Sequence, residues 1–132
     1  MIGAVRWTYL TVAWLFLASV VVQVFLAGLA LFAGESFELH ALFGFSAVHL
    51  LSLLLIPLAA LARAGRRSIS LAVGLFVVMS VQVSLPGLRT TLPLAAALHP
   101  VNALLIFWLG LQITRGADAL RRVAAEPTPL QS

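Results

Sequence analysis

Three histidines, His40, His49 and His99, stand in almost wholly apolar surroundings, as do Gln23, Gln82 and Asn102. Such side chains are costly in hydrocarbon, so they are where chemistry can reside in this chain. Their spacing carries more information than their types. The octapeptide VQVFLAGL at Val22–Leu29 returns as VQVSLPGL at Val81–Leu88, and at the same offset of 59 residues Leu39-His40 returns as Leu98-His99. Leucine and valine match readily by chance between apolar helices. Glutamine and histidine matching together, without a gap, do not.

If the offset reflects two equivalent helical hairpins, His40 and His99 lie at similar depth on helices that can face each other. At about 100° per residue, the stripe beneath His40 is Gly44, Ala47 and Leu51, and beneath His99 it is Ala103, Ile106 and Gly110. Small residues one turn deeper, at Gly44 and Ala103, allow close helix approach or leave room for a flat ligand. Two neutral imidazoles above such a gap are the axial ligands that a six-coordinate haem requires. Polar anchoring at a membrane interface is the plainer use of the same histidines, and ordinary packing is the plainer use of the small residues. Gln23, Gln82 and Asn102 can donate to a cofactor edge or simply bond between helices. His49 is nine residues beyond His40, half a turn out of phase on a regular helix and about 13 Å deeper. Its counterpart at the 59-residue offset is Trp108. Gln23 lies at comparable depth and is the expected hydrogen-bond partner of His49, which stands as a substitute metal ligand only if helix 2 is rotated. Gly28 and Gly87 are expected at close helix contacts.

These residues must be held by the elements around them. The chain has 132 residues, 62% hydrophobic and 9% charged, with mean hydropathy +1.11. A soluble domain is about a quarter charged, so this composition points to lipid as the solvent. Uncharged stretches predict four membrane-spanning helices near residues 7–33, 38–62, 68–88 and 95–115, each near the roughly 20 residues that a crossing needs. The first apolar run is much longer than the roughly 7–15 residues of a signal peptide core. Pro93 suits a loop or a first helical turn. The expected fold is all-α: an integral membrane four-helix bundle of two repeated hairpins, one domain over 1–125, with a disordered cytoplasmic tail at 126–132.

All eight basic residues are arginines. Seven of them (Arg6, Arg63, Arg66, Arg67, Arg115, Arg121, Arg122) fall at one end of the expected bundle, and Arg89, Glu35 and Glu38 fall at the other. The positive-inside rule then predicts both termini in the cytoplasm and the two histidines near the outer face. The net charge of +4 is thus a topology signal that fits contact with anionic lipid, and nucleic acid is not an expected partner. Without cysteine, disulfides, iron–sulfur clusters and thiolate chemistry are excluded. No nucleophile–base pair, glycine-rich phosphate loop or intramembrane carboxylate is present to suggest an enzyme.

With His40 and His99 near the outer ends of helices 2 and 4, and Gln82 to Gly87 in helix 3, the chain resembles one half of the heme A synthase family. That family consists of duplicated four-helix bundles in which such histidines ligate haem. Arginine follows these histidines in the family, where this chain has Ala41 and Pro100. A glutamate stands three residues before the helix 2 histidine, where this chain has Phe37. With one half present, haem A synthesis is not implied. The chain also looks like small four-helix bacterial membrane proteins, a likeness that implies topology. The function expected is a cytochrome-like protein binding haem b through His40 and His99, for electron transfer or haem handling, with a redox partner. The alternatives are an accessory subunit of a membrane complex, or a protein binding quinone or lipid.

Overall fold

The computed structural model describes residues 1–125, which form four long helices and contain no strand. The tail expected at 126–132 lies outside the described residues. Helix α1 spans Ile2–Phe32, α2 spans Glu38–Leu61, and α3 spans Gly65–Ser84 and continues in a 3-10 turn at Leu85–Leu88. A single turn at Pro93–Ala96, with proline in its first position, leads into α4 at His99–Ala125. All four helices are long and apolar enough to cross a membrane, with mean hydropathy from 1.8 to 2.5 over their best windows.

Two helix ends depart from expectation. Helix α1 begins at Ile2 rather than near residue 7, and α4 runs on to Ala125 rather than stopping near residue 115. Charges end an apolar run without ending a helix. Asp118 accepts a hydrogen bond from Arg122 Nε at 2.9 Å and pairs with Arg121 at 3.7 Å, one turn apart along α4. The Arg121 guanidinium lies 4.5 Å over the Trp7 ring, so the two extensions support each other.

The turn between α2 and α3 is closed by the main chain. Arg63 N–H bonds Ala60 O and Ala64 N–H bonds Ala59 O, the paired bonds of a Schellman motif. Arg63 occupies the left-handed position at φ +56°, and Arg6 Nε donates to Ala62 O at 3.4 Å across this end.

The helices form a square: α1 packs on α2 and α4, and α3 packs on the same two. Tyr9, Phe16, Leu55, Leu75 and Ile113 fill the centre, while Trp14, Phe25, Phe45, Leu104 and Trp108 face outward. Apolar side chains on both the inside and the outside suit a lipid solvent. Gly110 lets α4 approach α1, since a Cβ there would stand 2.8 Å from Phe16 Cε1 and 3.1 Å from Leu17 Cδ2. Gly28 and Gly87 do not mark such contacts; a Cβ on either meets nothing within 4 Å.

Helix α2 is not regular. A π-turn occupies Gly44–Val48. Such a turn takes up one extra residue and rotates everything below it by about 100° relative to a plain α-helix. The inward stripe runs through Gly44, Val48, Ser52, Leu55 and Ala59, while Ala47 and Leu51 are only half-buried. His49 is carried round in the same way, so it stands about 80° from the His40 direction instead of half a turn away.

Candidate functional site

His40 on α2 and His99 at the start of α4 come from diagonal corners of the square. Their rings nevertheless meet at one end of the bundle, with centroids 6.1 Å apart and planes inclined at 61°. Both are half-buried. The ring of Phe37 stands edge-on to His40 at 6.0 Å.

Each imidazole is held by the neighbouring helix of its own hairpin. His40 Nδ1 lies 3.0 Å from the main-chain oxygen of Gln23, and His99 Nδ1 lies 3.1 Å from that of Gln82. Both contacts join residues 17 apart in sequence. A carbonyl oxygen can only accept, so both rings carry their proton on Nδ1. In a neutral ring held this way Nε2 is the acceptor, the form that metal ligation uses.

The side chains of the two glutamines are used differently. Gln23 Nε2 donates to the carbonyl of His40 at 2.7 Å, returning the bond that His40 gives to Gln23. Its amide lies directly over Gly44, where any Cβ would collide with it. The space that Gly44 opens therefore holds Gln23, and Gln23 Oε1 is buried without a partner. Gln82 is more deeply placed, at 8% exposure. Its Oε1 accepts from Asn102 Nδ2 at 2.9 Å, and the same amide nitrogen lies 3.1 Å from Val78 O. Asn102 is thus an interhelical clamp between α4 and α3. Ala103, beside it, is half-buried.

The hydrogen bond expected between His49 and Gln23 is not formed. The amide of Gln23 is engaged at His40, and His49 is turned towards α3, edge-on to Phe76 at 5.0 Å and stacked at 28° with Phe45 at 6.0 Å. Its Nδ1 is buried without a partner. The described residues contain no group of three or more histidines, cysteines or carboxylates able to hold a metal ion. His40 and His99 meet as a pair, with no third histidine, cysteine or carboxylate grouped with them among the described residues.

Sequence reasoning valued the glutamines for their side chains and missed that their main-chain oxygens hold the histidines. The available signal was the equal separation, Gln23 to His40 and Gln82 to His99. Phe45 and Phe76, the aromatic surroundings of His49, left no comparable mark.

The fold and the polar cluster at its end define a membrane-type four-helix bundle with a paired-histidine site. The chain belongs to a family of unknown function (DUF6220), whose family model matches residues 23–91, just over half of the chain. The matched stretch contains Gln23, His40, Gly44, His49 and Gln82; His99, Asn102 and Ala103 lie beyond it. No curated protein and no solved structure matches the chain.

Proposed function

We propose that this protein is a membrane-embedded, cytochrome b-like protein that holds one haem between His40 and His99, for electron transfer or haem handling. The observation that carries this reading is the state of the two imidazoles. Each is fixed by an Nδ1–H bond to a main-chain carbonyl and left with a free Nε2 lone pair. Metal-ligating histidines are commonly held in this way. With ring centroids 6.1 Å apart, both imidazoles are close enough that they would hold one shared metal between them. A porphyrin brings its own four nitrogens, so two protein ligands suffice. With no cysteine to form a thioether, c-type attachment is excluded, and haem b is the form proposed.

When bound, the haem supplies a one-electron couple. The chain's own residues fix the imidazole tautomers through Gln23 and Gln82 and hold α3 to α4 through Asn102. A site at one end of the bundle needs a redox partner to pass electrons further. In this reading the chain is a duplicated hairpin, supported by the same Nδ1–carbonyl bond recurring at the 59-residue offset. Both termini lie in the cytoplasm and the histidine pair lies near the outer face, supported by the seven arginines at the opposite end.

Visible absorbance of the protein purified from haem-replete cells tests the assignment. A sharp alpha band on reduction is expected, and a colourless protein defeats it. Cysteines at Ser36 and Thr91, placed in this cysteine-free chain, should react with an impermeant reagent in intact cells. Labelling of Arg66→Cys instead would reverse the orientation.

One observation favours a second reading. The bonds from His40, His99 and Asn102 all close within a hairpin, α1 to α2 or α3 to α4. The same residues can thus stitch helices in a non-catalytic subunit of a larger membrane complex. This reading gives a colourless protein with modest, additive losses of stability at each histidine.

A further inference from the structure

His49 is the imidazole that the haem pair leaves over. Nine residues beyond His40 on α2, with one taken up by the π-turn, it lies about 12 Å further along the helix, towards the middle of the span. An unsatisfied polar atom at such depth is costly, yet its Nδ1 is buried with no partner. The serine hydroxyls on these turns donate to main-chain carbonyls, and none is bonded to it. Ser46 Oγ donates to Leu42 O, Ser52 Oγ to His49 O, and Ser80 Oγ to Phe76 O. The π-turn at Gly44–Val48 turns this ring towards α3, and π-turns recur at functional sites. Phe76 forms one wall. Phe45 stacks on the imidazole from the outside and is 68% exposed, so it is held on one side only and can turn away.

We propose that His49 marks a binding site for the ring of a membrane-soluble quinone, entered from the lipid past Phe45. A flat ring that enters past Phe45 and lies edge to edge with the imidazole brings an oxygen to Nδ1 in the plane of the ring. A quinone carbonyl accepts from Nδ1–H, and a quinol hydroxyl donates to an unprotonated Nδ1, so one nitrogen serves both forms. Phospholipid head groups and esters stay near the interface, whereas a quinone ring dissolves in the hydrocarbon at this depth. The site uses none of the groups assigned to haem.

Protein labelled with 15N-histidine in nanodiscs tests this, because the chain has only three imidazoles. Decylubiquinone should move the His49 Nδ1 resonance and leave those of His40 and His99 in place. Decylbenzene, with a ring and chain but no oxygen, should move none. In calorimetric titration with decylubiquinone, His49→Leu should weaken binding at least tenfold, and His49→Gln, which keeps a hydrogen-bonding group, should fall between. Equal binding by wild type and His49→Leu, an equal response to decylbenzene, or no binding by wild type overturns the proposal. A colourless protein that binds decylubiquinone through His49 keeps this inference and rejects haem; a coloured protein that ignores decylubiquinone does the opposite.

Discussion

The hairpin α1–α2 and the hairpin α3–α4 do one thing identically and almost everything around it differently. In both, a histidine near the start of the second helix gives its Nδ1 proton to a glutamine carbonyl 17 residues earlier. The glutamine side chains then diverge. Gln82 finds Asn102, whereas the residue at the equivalent place after His40 is Phe43, which offers no donor. Gln23 therefore folds over Gly44 onto the carbonyl of His40 and leaves its own oxygen orphaned. A π-turn follows directly in α2, while α4 is α-helical throughout. What differs is what local packing can solve in more than one way. What is shared fixes the tautomer of an imidazole, which matters most to a ligand on the other nitrogen.

The largest expected effect follows from that shared feature. If the protein holds the proposed haem, His40→Ala or His99→Ala should each abolish low-spin haem absorbance, since one of the two proposed ligands is lost and neither Ala41 nor Pro100 can replace it. The double variant should look no worse than either single one, because both disable the same iron. Independent, additive losses of stability with no change in the visible spectrum would mean that the hairpins share a motif and no ligand.

A second test concerns how the hairpins meet. Gly110 of α4 faces Phe16 and Leu17 of α1, and Phe16 is fully buried with no free direction to move. Gly110→Ala should therefore cost about 1–3 kcal/mol by overpacking, measured by reversible unfolding in mixed micelles. Gly28→Ala, in open space on the same α1 helix, is the control. It should gain up to about 1 kcal/mol from helix propensity. Similar results at both sites would show that α1 and α4 are not held at this distance.

The four spans were legible because charges interrupt the apolar runs so cleanly, and the meeting of His40 with His99 was legible from one ungapped offset carrying two polar residues. Helix ends were less so, since Arg115 and Asp118 stop an apolar run while the helix continues through them. The direction of His49 was hidden for a different reason. A π-turn is a change in main-chain hydrogen bonding that the residues Gly44–Val48 do not announce, and it rotates every position beneath it. The carbonyls of Gln23 and Gln82 were equally hidden, because every residue offers a main-chain oxygen and only the packed helices select which one is used.

The smallest effects should appear at the glutamines, and their inequality is the finest test of the comparison. Gln82→Leu removes the acceptor of Asn102 in a buried place, although Asn102 keeps Val78 O. The loss should be about 0.6–1.7 kcal/mol, the range for interhelical bonds in membranes. Gln23→Leu removes one donor bond to His40 O, but it also removes the orphaned oxygen at Gln23, and the two changes oppose each other. The carbonyl of His40 still receives the N–H of Gly44, so it is not stranded. A net change within about 0.5 kcal/mol is expected there. Because the anchors are main-chain oxygens, neither variant should lose the bond to its histidine, and both should keep whatever low-spin spectrum the wild type shows. Loss of the spectrum in Gln23→Leu alone would show that the first hairpin positions His40 through the glutamine side chain, and the equivalence of the two anchors would fail.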